Sequence, residues 1–182
     1  MKARNVPGLD PAGPLGDNAE RIVRARLDEL CGFMPEAADP GAVTALHDMR
    51  IAAKRLRYIL EITHPCFGPY AETAVKAVKE LQDLLGEIHD CDVQLPEVRA
   101  LLDELVVADA EALVDGAAEP PHAGSYAGLV GLTTELLARR ERGFAAFLRM
   151  WRDLERKGFR PRLEYAVAER PGANGRATIG LA

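Results

Sequence analysis

The sequence predicts an all-α fold, an antiparallel helical bundle. Three observations carry that reading. Apolar residues recur at helical spacing in five separate stretches, breakers rich in Pro and Gly lie between them, and no useful length alternates with period two. With 182 residues, 48% of them hydrophobic, the chain can bury a core and falls within the range of one domain.

Residues 1–16 are rich in Pro and Gly without periodicity and read as a mobile lead-in. Order is expected from Asp17, where Ile22, Val23, Leu27 and Leu30 repeat as one helix face until the stop at Gly32 to Pro35. After EAADPG a second helix runs from about Ala42 to Thr63. His64-Pro65 closes it, because a residue before proline is pushed out of the helical region. FGPY makes the turn. Val78, Leu81, Leu84, Leu85 and Ile88 mark a third helix from Ala71 to about Val93. Pro96 suits the first turn of a fourth, in which Val98, Leu101, Leu102, Leu105 and Val106 are apolar and which ends before Gly116. GAAEPPHAG is a loop. A long last helix spans Leu129 to about Arg156, with Leu137, Phe144, Phe147, Leu148, Trp151 and Leu154 on one side. The helical domain is therefore expected over residues 17–169, with 170–182 a flexible tail.

A net charge of -5 and a pI near 5.4 exclude a protein coated in positive charge, so any anion binding must come from local clustering. The charges are clustered. Residues 87–119 carry ten acids against the single cation Arg99, while 139–162 carry nine cations against three acids. Cys31, Cys66 and Cys91 form no CxxC pair and are odd in number, which argues against a disulfide framework and for a reducing compartment. With no apolar core for a signal peptide and no run approaching a membrane span, the expected location is cytoplasmic, without membrane association.

The most informative segment is LHDMRIAAKRLRY. At about 100° per residue, His47, Arg50, Lys54, Arg57 and Tyr58 share one narrow stripe, with Arg55 about 60° further round. Leu46, Met49, Ala52, Ala53, Leu56, Ile59 and Leu60 lie opposite. Every group on the stripe can donate a hydrogen bond, three are cationic, and no acid intervenes between Asp48 at its edge and Glu61. Such a face suits phosphate-like anions. The alternative is a solvated face with salt bridges to neighbours. On the third helix Lys76 and Lys79 could extend an anion track, and antiparallel packing sets them near the C-terminal part of the basic helix. Asp83, Glu87 and Asp90 follow, with Arg50 or His47 as partners. Asp92 falls on the apolar side and calls for an arginine or a capping role. In the last helix Arg142, Arg149 and Arg152 repeat the one-sided pattern. His47 and His89 invite a metal site, but there is no HxxxH or HExxH, Cys91 stands apart from other thiols, and arginines repel a dication. No metal or other cofactor is expected.

These residues resemble the CHAD domain, the conserved histidine α-helical domain. HDMRIAAKRLRY is similar to that family's motif of His, Arg, Lys-Arg and Arg-Tyr, and LQDLLGEIHDCDV to the Leu-Gln-Asp, Leu-Gly and terminal Asp pattern that follows it. Together they cover about residues 43–105. The resemblance implies two pseudo-symmetric helical bundles around a basic cavity that binds inorganic polyphosphate. His47, Arg50, Lys54, Arg55 and Arg57 take the motif's cationic positions, with Lys76 and Lys79 in support. The family's second His and Arg motif is missing: the second half has only ARRERGFAAFLRMWRDLERKGFRPR. Either that helix supplies the opposite wall in diverged form, or the domain is shortened and pairs with another copy as a homodimer. The expectation is non-enzymatic polyphosphate binding, with no catalytic residue. The alternatives are phosphohydrolase or phosphotransfer chemistry through His47, and a protein-interaction bundle whose basic face meets an acidic helix. Nucleic acid is the poorer fit, since the stripe has little aromatic interleaving.

Overall fold

A computed structural model describes residues 2–169, and these are all-α, with no strand among them. Six helices follow one another: α1 Leu15–Gly32, α2 Met34–Ala37, α3 Val43–Thr63, α4 Tyr70–Val114, α5 Tyr126–Arg156 and α6 Phe159–Ala168. The bundle of the sequence reading is present. α4 is its spine, packed by α3 on one side and α5 on another, with α1 against α3 and α6 bridging α1, α4 and α5.

The apolar stripes meet where their periods direct them. Val23, Leu27 and Leu30 of α1 join Leu46, Met49, Leu56 and Leu60 of α3, Val78, Leu81, Leu85 and Ile88 of α4, and Phe147 of α5 in one core. Each such aliphatic side chain contributes about 1.5–3 kcal/mol through removal from water. Gly143 allows α5 to approach α4 closely, since a Cβ there would come within 3.3 Å of the Ile88 side chain. α3 ends where His64-Pro65 requires, in a single 3-10 turn over His64–Cys66.

Several expectations need correction. No break occurs at Pro96: the third and fourth expected helices are one, α4, 45 residues and about 67 Å long. Proline removes one N–H and costs roughly 3 kcal/mol inside a helix. The half-buried stripe of Leu95, Val98, Leu102 and Leu105 crosses the proline without changing phase, so continuing the helix keeps that stripe on α5. A chain break there would abandon it. Of the two adjacent leucines of α5, Leu136 is buried, while Leu137, expected on the core side, is 54% exposed. α6 was not anticipated. Gly158, at φ 66°, makes the left-handed turn that sends the chain from α5 back across the bundle, and Phe159, Leu163 and Val167 then enter the core.

The most buried polar group is Glu29, with no solvent exposure. Its carboxylate accepts from Arg26 Nη1 at 2.5 Å and from the Arg4 backbone N–H at 3.3 Å, and pairs with Arg55 Nη1 at 3.3 Å. Arg26 Nη2 in turn donates to the Arg4 carbonyl at 2.7 Å. The lead-in expected to be mobile is thus fastened to α1, and a second clasp forms where Asn18 Nδ2 donates to the Asp10 carbonyl and the Asp10 N–H donates back to Asn18 Oδ1. The expected tail, 170–182, lies outside the described residues.

Cys31, Cys66 and Cys91 are free thiols. Burial pushes Cys31 up to about 11, so it stays protonated. Among the described residues no helix is long and apolar enough to cross a membrane.

Candidate functional site: a basic seam between two helices

The face of α3 opposite the core runs along its antiparallel contact with α4. Three contacts fix the register. His47 meets His89, Arg50 Nε lies 3.7 Å from where a Cβ on Gly86 would stand, and Arg57 Nη1 donates to Gln82 Oε1 at 3.4 Å. Going up α3 therefore means going down α4, as the short turn between them demands.

Arg50 carries the least satisfied group of the seam. Its Nε is buried and has no hydrogen-bond partner among the described residues. A buried guanidinium nitrogen without an acceptor costs on the order of 1–3 kcal/mol, a cost that an added acceptor would offset. Lys54, one turn on, is exposed and has no ion pair among the described residues. Its Nζ stands 5.8 Å from the centroid of the Tyr58 ring. Tyr58 also takes Arg57 on its face at 5.0 Å. Arg57 Nε sits 2.9 Å from Glu61 Oε1 as an ion pair, but its N–H does not point at that oxygen, so the hydrogen bond is left unmade.

At the other end of the stripe the two imidazoles tilt against each other, centroids 4.5 Å apart, with Nδ1 facing Nδ1 at 3.3 Å. One Nδ1 must donate and the other accept, so the contact survives only while at least one ring is neutral. Burial lowers the affinity of His89 for a proton, His47 and Arg50 lower it further, and Asp90 and Asp92 pull the other way.

The remaining sequence candidates divide. Lys79 stands one turn from Gln82 on α4 but is held by Asp83 at 3.1 Å, and Lys76 by Glu72 at 3.2 Å; both pairs are solvent-exposed and weak, so an anion can compete for either lysine. Arg55 leaves the seam for the α1 side, where it neutralises Glu29. Arg142 pairs with Glu135, and Arg149 and Arg152 border a groove on α5 beside Pro40. α3 and α5 both pack on α4, and the structure does not bring these three arginines together with the α3 stripe. Asp92 meets an arginine, Arg140, whose Nε donates at 2.5 Å while its Nη2 reaches the Pro40 carbonyl. Three participants escaped the sequence reading. Gln82 has no charge pattern to betray it, and the sequence suggests His89 only as a metal ligand. Glu29 could have been found, because it and Arg26 form an opposite-charge pair three residues apart on the side of α1 otherwise occupied by Val23 and Leu30.

A family model for the CHAD domain matches residues 2–99, just over half of the chain. The chain belongs to the CHAD domain family. Two curated relatives are similar to it: uncharacterized protein Rv2226 of Mycobacterium tuberculosis strain ATCC 25618 / H37Rv, 31% identical over 138 residues, and uncharacterized protein MT2285 of strain CDC 1551 / Oshkosh, 30% identical over 138. Each alignment takes in 71% of this chain and 26% of the relative, so the chain spans about a quarter of their length. No solved structure matches it significantly. The CHAD match contains every residue of the α3–α4 seam and stops before α5, leaving the hairpin beyond Arg99 outside it.

Proposed function

We propose that the α3–α4 seam binds inorganic polyphosphate without transforming it. The observation that carries this reading is the buried Arg50 Nε, without an acceptor among the described residues, on a stripe whose neighbours His47 and Lys54 have no acidic partner among them either. Membership of the CHAD family supports the choice of ligand. Cations one helical turn apart, about 5.4 Å, suit a chain bearing one negative charge per phosphate. Arg50, Lys54, Arg57 and the Tyr58 hydroxyl form the floor of the track, His47 and His89 its end, and Lys79 and Lys76 its outer rim. Arg55 holds α3 to α1 and acts on the ligand only through that position. Titration of long-chain polyphosphate at two ionic strengths tests the proposal. Affinity should fall steeply with salt, as for other polyphosphates whose counterions are released on binding. Equal affinity at both salts, or release of free phosphate on incubation with magnesium, would overturn it.

A pH dependence follows from the imidazole pair. The folded protein holds the proton on His89 less well than the unfolded chain, whose value is near 6.5. The stabilising contribution is therefore present above that pH and is lost as pH falls through the lowered folded value. A bound polyanion favours the charged ring and reverses the effect. The rise in melting temperature produced by polyphosphate should be larger near about pH 5.5 than near about pH 7.5. A shift that shrinks on acidification would remove the imidazoles from the site.

A further inference from the structure

The bundle core holds no residue between Ile88 and Phe144. The C-terminal half of α4 and the N-terminal half of α5 therefore leave the bundle as a two-helix arm. The seam of that arm is closed: Asp109, 4% exposed, accepts from the Tyr126 hydroxyl at 2.6 Å and from the His122 backbone N–H at 3.0 Å, and Leu136 is buried against α4. One flank is open. On α4 it carries Val106 and Leu113, 52% and 44% exposed, and on α5 Val130 and Leu137, 56% and 54% exposed. Phe144 and Leu148 continue the α5 row into a groove beside Pro40, so apolar residues recur along α5 from Val130 to Leu148. A row of exposed apolar side chains on a charged protein suits a contact surface.

Spacing and charge together say what covers it. Val130, Leu137 and Phe144 repeat every seven residues, the period of a helix that packs along a partner helix. The pattern is also its own mirror: Val130 and Phe144 stand equally far from Leu137. Charge follows the same symmetry. Residues 100–138 contain no lysine or arginine and seven acids, among them Glu111, Asp115 and Glu119 around the tip, whereas Arg149 and Arg152 at the base are exposed and have no partner among the described residues. Arg152 lies fifteen residues beyond Leu137, and fifteen residues before it is the tip loop. A second copy laid antiparallel, with the two-fold axis at Leu137, therefore sets Phe144 on Val130 and each acidic tip on the other copy's arginines. An isologous contact of this kind is closed and stops at two.

We infer that two copies of this chain associate through the open flank of the α4–α5 arm, antiparallel about Leu137, with the tip acids of each on Arg149 and Arg152 of the other. The full chain in sedimentation velocity should have twice the 19.8 kDa monomer mass at micromolar concentration. Leu137→Glu should give a monomer of unchanged helical circular dichroism, because that side chain is already half in water. Arg149→Glu with Arg152→Glu should weaken the dimer at low salt at least tenfold, and adding Glu111→Arg with Asp115→Arg in the same chain should restore it. A monomeric full chain, whether its flank is bare or covered by its own tail, overturns the inference. So does a dimer indifferent to Leu137→Glu, an open-ended oligomer, or a four-fold variant weaker than the double one.

Discussion

Replacing Glu29 by alanine is expected to destabilise the protein by roughly 3–5 kcal/mol, the cost of removing one member of a buried ionic cluster. The carboxylate is fully buried and serves three donors on three segments: Arg26 of α1, Arg55 of α3 and the Arg4 backbone N–H of the lead-in. Without it two guanidinium groups face each other with no intervening charge, and the lead-in loses one of its attachments. At about 2–4 °C of melting temperature per kcal/mol for a chain of this size, the loss is on the order of 10 °C. Arg55→Ala should cost much less, since that side chain is partly exposed and Arg26 still neutralises the carboxylate. Thermal unfolding followed by circular dichroism measures both. A Glu29→Ala protein that melts with wild type would show that the cluster contributes no net stability.

Arg50→Ala combined with Lys54→Ala should abolish most polyphosphate binding while leaving the fold intact. Hydrogen bonds to charged groups contribute about 1.5–3 kcal/mol each. Two of them amount to at least about 100-fold in affinity. The salt slope should fall as well, by about 0.7 per phosphate contact removed if the ligand behaves like single-stranded nucleic acid. Stability is the revealing control. Among the described residues Arg50 Nε has no partner and Lys54 no ion pair, so truncating them orphans no group there. Arg57→Ala would be a poorer probe, because Gln82 and Glu61 would both lose their contact. Calorimetric titration of the double variant at low salt decides the matter: wild-type affinity would take the seam out of polyphosphate binding.

How far the chain could be read without coordinates depended on which physical signal dominated locally. α3 was legible almost to the residue, because its amphipathic period, its cationic stripe and its terminating His64-Pro65 agree. Pro96 misled for the opposite reason: a strong local breaker was outweighed by a long apolar stripe whose partner, α5, lies far away in sequence. Leu136 and Leu137 show the same limit, since adjacent leucines at the border of a stripe divide between core and solvent only when the neighbouring helix is known. In the seam, spacing placed His47, Arg50, Lys54 and Arg57 on one face, but it could not say that Arg55 would turn to Glu29 or that His89 would stand opposite His47. Those are tertiary pairings without a sequence signature.

The unbroken passage of α4 through Pro96 has a dynamic consequence. Below the proline its amides lie in a core shared with α1, α3 and α6; above it, among the described residues of one chain, they are sheltered by α5. Proline also withdraws the N–H that would tie it to the carbonyl four residues back, so the coupling between the two stretches is weakest at that point. Opening of the arm therefore need not wait for global unfolding. Amide hydrogen exchange should resolve α4 into two protection classes that change over near residue 96, with the distal amides exchanging through a local, low-energy excursion and the proximal ones only when the whole bundle melts.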